Sequence, residues 1–525
     1  MSGLLKSSGA MAGATLASRL LGMVREICYA RFMGDGMVAG AFVLAFMIPN
    51  LFRRLLGEGA LMAAFIPVFK EQEKNAGEEA MWRTANALIS GLVVVLAVIV
   101  GVGLLGITAA LEWGHFDKKI TLMLELLRWV FPYLMLICLA AAVMGILNSR
   151  GHFFLPALGA LILNVVMIAS VLFLAPRWGV ELEDQIFALA VGVLVAGVAQ
   201  LLYQLPALWR EGFRPQWISP WADDSVRTVL QRLGPGVIGV AAFQINVLAT
   251  QCLGFWAGVH VVASYTYAVR LMELPQGLFG VSMAVFLLPT LAGLAAEQKE
   301  GEFQSTLSEG LGHVIFINSL MFVFLMVMPD AMVRLLFERG AFTAESTERV
   351  AFALRCLAPA LVFYSISGLL VRAFNARGDV KTPMKISLFC LCVNLSLAMV
   401  LLGRFPEELR QGAFGIANSL SACLNCMLLA MALKRRGIEL DLSFKRGPRA
   451  SLQLASCTIL ATVASGGGLL LAYQWWGTQG FGPQMGAVLL PVALGAFSYL
   501  GLGGLLGVPT VRQVWGIIQS RRNEE

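Results

Sequence analysis

The chain has 525 residues, of which 58% are hydrophobic and 14% charged, with a formal net charge of +7. A soluble globular chain carries about 25% charged residues, so a soluble fold is excluded and a polytopic membrane protein is expected. The basic excess is spread among loops, so it does not point to nucleic acid.

Apolar runs bounded by polar loops predict fourteen spans: 10–33, 37–69, 85–111, 120–147, 155–175, 186–208, 228–257, 262–296, 307–337, 350–374, 383–403, 411–433, 450–473 and 484–508. Each meets the roughly 20 apolar residues that a membrane helix needs. The first, with Arg19, Arg25 and Arg31, lacks a small-residue cleavage site and does not read as a signal peptide. Loops on the side of the termini hold 22 Lys and Arg against 7 on the other. By the positive-inside rule both termini are expected in the cytoplasm of a bacterial cell, in its cytoplasmic (inner) membrane. All loops are too short for a folded soluble domain, so any chemistry belongs within the membrane or at its surfaces.

The fourth span and its loop read RWVFPYLMLICLAAAVMGILNSRGHFFLP, and the tenth reads RCLAPALVFYSISGLLVRAFNARGDVKTP. Arg128, Pro132, Asn148, Arg150, Gly151 and Pro156 match Arg355, Pro359, Asn375, Arg377, Gly378 and Pro383, each 227 residues on. The offset is six spans, an even number, so the copies point the same way. Parallel repeats of this kind are a transporter architecture. The expected fold is therefore all-α: a six-helix lobe over 1–215, a second over 216–440, and two further helices with a short tail over 441–525. In the last pair, Gly466 to Gly468, and Gly503 with Gly507, are expected to permit close helix packing. Cys423 and Cys426 form a C-x-x-C inside an apolar run with no histidine nearby, which reads as small apolar filler. No metal or other cofactor is expected.

The informative residues are the charges at membrane depth: Arg19, Arg25, Arg31, Arg53, Arg54, Glu58, Arg270 and Glu273. An arginine at a helix centre costs about 2.5–3.5 kcal/mol on insertion scales, so such groups should face water or pair with acids. Arg53 lies sixteen residues into the second span, roughly 24 Å along a helix. Arg31 reads as an interfacial anchor. For Arg54 a snorkelling role and a site role both stand. Glu273, one turn after Arg270, is placed as its i, i+3 partner. The excess of arginine predicts an anionic substrate, because the guanidinium fork matches phosphate oxygens.

Three motifs carry a family resemblance. SRLLGMVRE (Ser18 to Glu26), PNLFRRLLGEGA (Pro49 to Ala60) and RLMELPQG (Arg270 to Gly277) resemble the MurJ (MviN) lipid II flippases of the multidrug/oligosaccharidyl-lipid/polysaccharide exporter superfamily. The resemblance runs end to end. It implies a transporter, not an enzyme. Its substrate would be lipid II, an undecaprenyl diphosphate bearing the disaccharide-pentapeptide unit of peptidoglycan, moved to the outer leaflet by alternating access. It also implies that Arg19, Arg25, Arg53 and Arg270 line a cationic central cavity, with Ser18, Glu26, Arg54, Glu58 and Glu273 in secondary or gating places, and that the last two helices take the lipid tail. Cell-wall synthesis enzymes would be partners, and membrane potential or a coupling ion would drive the cycle. The chain departs from the family at Gly40 and Val269, where aspartates are frequent. Other readings are an O-antigen or drug exporter of the same superfamily, and a non-transporting scaffold for cell-wall synthesis.

Overall fold

The computed structural model describes residues 2–54, 60–152, 154–222, 224–438 and 448–512. The longer helices are α1 (Ser2–Met33), α2 (Met37–Phe52), α3 (Ala60–Trp113), α4 (Lys118–Val130), α5 (Tyr133–Ser149), α6 (Gly159–Ala169), α7 (Leu182–Leu202) and α8 (Asp224–Ala257). They continue as α9 (Val261–Pro275), α10 (Ser282–Ala296), α11 (Glu300–Val327), α12 (Ala344–Ala376), α13 (Lys381–Leu402), α14 (Arg410–Lys434), α15 (Pro448–Trp476) and α16 (Phe481–Leu505). Only helices, turns and coil occur among the described residues. With no water in the hydrocarbon core, each spanning segment must satisfy its own backbone, and the helix does so.

Among the described residues, nine helices are long and apolar enough to cross a membrane, and ten if α4 and α5, bent by 43°, count as one span. The four expected spans outside that number have physical reasons to fall short. The stretch 10–33 carries Arg19, Arg25, Glu26 and Arg31, and 228–257 is diluted by Arg232, Gln244, Asn246 and Gln251. The stretch 37–69 is not one straight helix, because α2 stops at Phe52, three residues after Pro49. The stretch 262–296 is interrupted after Pro275 by a wider π turn at Gln276–Val281; proline removes a helix donor and clashes with the preceding turn. α3 is really two helices, joined at Gly77 with φ of 85°, a left-handed angle that glycine alone adopts at no steric cost.

The chain divides into two compact units, Met1–Ala263 with Gly340–Phe342, and Ser264–Arg339 with Thr343–Glu525. In the first, Phe65, Phe69, Met81, Ile146 and Leu147 pack with less than 1% of their surface exposed. In the second, Leu291, Phe303, Leu307, Leu369 and Leu429 do the same, and α15 and α16 pack on α11 through Phe316, Cys457 and Tyr499. The Tyr499 hydroxyl donates to the Phe316 carbonyl (2.8 Å), which satisfies a buried polar tip. Close approach of α15 and α16 uses Gly468 and Gly495: a Cβ on Gly495 would lie 2.1 Å from Ser465 Oγ. Gly503 is also tightly packed, but Gly466 and Gly467 have nothing within 4 Å of an added Cβ, and Gly507 ends a helix with φ of 71°. The expected glycine packing is therefore confined to part of the set.

Arg150 and Arg377, 227 residues apart in sequence, make the same kind of contact in their own units. Each follows a helix end closed by a left-handed glycine, Gly151 or Gly378. The next residue donates back five positions, His152 N–H to Leu147 O and Asp379 N–H to Phe374 O. Arg150 pairs with Glu73 and Arg377 with Glu300, and those two acids are again 227 residues apart. The neighbouring pair is reversed in sign: His152 meets Glu211 in the first unit (2.8 Å), whereas Asp379 meets Arg436 in the second.

These clusters predict an acid dependence. The His152 ring and then the Arg150 guanidinium hold Glu211 below the usual glutamate range. Hydrogen bonding from Thr382 and the Arg436 charge do the same for Asp379. A carboxyl with a depressed folded pKa contributes stability that is present above its unfolded pKa of about 4 and is lost as pH falls through the folded value. Thermal unfolding in detergent should therefore weaken below about pH 4. Arg150→Gln should lower stability near neutrality by about 1–2 kcal/mol and flatten that acid slope; an unchanged slope would remove the cluster from the account.

Candidate functional site

Two of the expected arginines stand together in the first unit. Arg25 on α1 is largely buried, with 13% of its side chain exposed. Its Nη2 donates to Glu26 Oε1 (2.6 Å), its Nη1 to Asn164 Oδ1 (3.1 Å), and the guanidinium lies 5.4 Å from the Tyr29 ring centroid. Arg25 Nε is buried with no partner among the described residues. Asn164 on α6 also donates from Nδ2 to the Ser18 carbonyl (3.0 Å). Ser18, Gly22 and Arg25 form one face of α1 at spacings of four and three, and that face meets Asn164. Ser18 thus enters through its backbone. Arg19, six residues before Arg25, is rotated roughly 120° around the helix from it and is exposed.

Arg53 follows the end of α2, where its N–H is shared between the carbonyls of Asn50 and Pro49. Its Nε donates to Asn50 Oδ1 (2.7 Å), which fixes the half-buried side chain against its own helix. Tyr133 on α5 is an electrostatic neighbour of both Arg53 and Arg25. The Tyr133 hydroxyl donates to Gln200 Oε1 (3.3 Å), and Gln200 Nε2 donates to the Gly159 carbonyl (2.8 Å). Arg54 is exposed beside Arg53. Glu58 lies outside the described residues.

In the second unit Arg270 on α9 donates from Nη1 to Glu273 Oε2 (2.8 Å), the i, i+3 pair expected from the sequence. Both side chains are partly open, 41% and 49% exposed. The same helix is anchored by a buried polar knot: Asn418 Nδ2 donates to the Tyr265 hydroxyl oxygen, and the Tyr364 hydroxyl donates to Asn418 Oδ1 (2.8 Å). The π turn after Pro275 starts one turn beyond Arg270.

Asn50, Tyr133, Asn164 and Gln200 were not among the residues singled out by charge. Their signal is visible in retrospect: Asn164 is the lone polar residue in GALILNVVMIA. An amide in an apolar helix needs a partner, since leaving it unpaired in low dielectric is expensive. At the departing position Gly40, an added Cβ would lie 3.5 Å from the Val259 carbonyl and 3.9 Å from Val262 Cβ. A carboxylate there would meet a carbonyl oxygen and apolar groups, which explains why a small uncharged residue suits this chain.

The arrangement presents guanidinium groups held by amides and tyrosines inside an apolar helical body. A family model described as lipid II flippase MurJ matches residues 29–483. The chain belongs to this family. A probable lipid II flippase MurJ of Bdellovibrio bacteriovorus is 32% identical over 522 residues, covering 97% of this chain and 96% of the relative. A probable lipid II flippase MurJ of Vibrio cholerae is also 32% identical, over 96% of both chains. Among solved structures, a lipid II flippase MurJ in an inward closed conformation shares the fold, with a TM-score of 0.76 at 21% identity, covering 94% of this chain and 98% of the other. A multidrug resistance MATE family transporter of the MOP superfamily shares it at a TM-score of 0.65 and 15% identity, over 81% and 98%. The family is one of transporters and not of enzymes, and the reading of the sequence motifs agrees with it.

Proposed function

We propose that this chain is a lipid II flippase in which Arg19, Arg25, Arg53 and Arg270 serve the diphosphate and sugar head of the substrate. Family membership across most of the chain supports the activity. The observation that carries the site is the placing of Arg25 and Arg53 around Tyr133, with Arg25 Nε buried and unpartnered. A buried guanidinium with a vacant donor favours a substrate that brings acceptor oxygens. Arg54, Glu26, Glu58 and Glu273 are assigned to charge balance and gating, and Ser18 to seating α1.

The proposed topology is fourteen spans, as six-helix lobes over 1–215 and 216–440 and two further helices in 441–525, with both termini in the cytoplasm at the bacterial inner membrane. Transport runs by alternating access, driven by membrane potential or a coupling ion. Cell-wall synthesis enzymes are the proposed neighbours. Depletion in the native host, followed by extraction of lipid-linked intermediates, tests the activity. Lipid II held on the cytoplasmic side is expected. Accumulation of an O-antigen carrier instead would assign the chain to another exporter function, and no accumulation would favour a scaffold.

A further inference from the structure

The first unit carries a cavity of about 350 Å³ that is distinct from the arginine site. Its apolar wall includes Val93 of α3, Leu139 and Val143 of α5 and Leu201 of α7, and it is closed at one end by Phe213 and Pro215. The volume falls at the low end of the roughly 300–1,000 Å³ of small-ligand sites, room for a single chain-like group. Asn86 and Ser90 also line it, but their polar atoms are engaged. Asn86 Nδ2 donates to the carbonyls of Trp82 and Arg214 (3.1 and 3.0 Å), and Asn86 Oδ1 accepts from the Gln216 N–H (2.9 Å). Ser90 Oγ accepts from the Ile218 N–H (3.3 Å). These bonds pin the 213–218 loop, so the wall asks nothing polar of an occupant.

The rim beside this loop is cationic. In WREGFR, residues 209–214, the one acid is turned away: Glu211 accepts from Arg150 Nε (2.8 Å) and meets His152 (2.8 Å). Arg210 is exposed. Arg214 uses Nη1 on the carbonyls of Trp209 and Phe213 (3.0 and 3.1 Å), and among the described residues no acid pairs with it. Trp217, on the cavity wall and 69% exposed, is the aromatic type enriched where hydrocarbon meets headgroups. We propose that this groove binds an anionic glycerophospholipid, with one acyl chain against Val93, Leu139, Val143 and Leu201 and the phosphate on Arg210 and Arg214. The site is separate from substrate transport, and its test does not depend on the identity of the transported lipid.

The experiment is a titration of delipidated protein by native mass spectrometry with phosphatidylglycerol and with phosphatidylethanolamine of the same acyl chains. The wild type should retain phosphatidylglycerol about tenfold better. An R210Q/R214Q variant should lose that preference while keeping phosphatidylethanolamine binding, and Leu139→Trp, which fills the groove, should lose both. Equal retention of the two lipids by the wild type, or unchanged phosphatidylglycerol binding in the filled variant, overturns the proposal. Photo-crosslinking of wild-type protein in phosphatidylglycerol vesicles with a diazirine-bearing acyl chain gives a reading independent of variant folding. Label concentrated on the peptides holding Val93, Leu139 and Leu201 supports the site; label spread evenly over all membrane helices overturns it.

Discussion

Arg25→Ala should reduce lipid II translocation by at least about a hundredfold, the effect of losing some 3 kcal/mol of charge-assisted contact. The reason is local. Arg25 touches Glu26, Asn164 and Tyr29 at once, and its remaining donor faces no protein acceptor among the described residues. Arg25→Lys should be nearly as damaging, because a point-charge ammonium cannot span Glu26 and Asn164 as the fork does. Asn164→Leu should cost about tenfold, since it removes the bond that aims Arg25 and the one that holds Ser18 O. If Asn164 acts through Arg25, the double variant should be no worse than Arg25→Ala alone. Additive losses, read with membrane protein levels matched by immunoblot, would show that Asn164 serves stability only.

Arg270 should separate cation from ion pair. Arg270→Ala is expected to abolish translocation, while Glu273→Gln should retain more than about half of it. The pair is partly exposed, at 41% and 49%, and an exposed ion pair contributes only about 0–1 kcal/mol. The helix itself is held independently by Asn418, Tyr265 and Tyr364, so losing Glu273 should not dislodge it. Initial rates in vesicles decide the matter. If Glu273→Gln is as defective as Arg270→Ala, the acid is a working part of the cycle and not a structural partner.

Much of this was legible in the residues because membranes simplify the reading. Apolar run length located helix on all fourteen expected stretches, since backbone satisfaction in lipid leaves few other choices. Where the runs misled, a proline or a cluster of polar side chains had intervened. Pro49 precedes the end of α2, and Pro275 precedes the π turn. The Arg270–Glu273 pair followed from helix spacing alone. Asn164 did not, because its partner is 139 residues away from it and no local period reports such a contact. Nor did the reversed pairs His152–Glu211 and Asp379–Arg436, in which the positions recur and the charges do not. A search for repeated residue identities passes over a contact conserved only in its complementarity.

The central claim is that guanidinium groups at membrane depth exist to handle a phosphorylated lipid head. It is tested most directly by reconstituting wild type and the four single variants Arg19→Ala, Arg25→Ala, Arg53→Ala and Arg270→Ala into vesicles loaded with labelled lipid II. The appearance of substrate on the opposite leaflet is then followed at matched protein incorporation. Rapid translocation by the wild type and its loss in all four variants is the predicted result; translocation at the wild-type rate in all four would contradict the account.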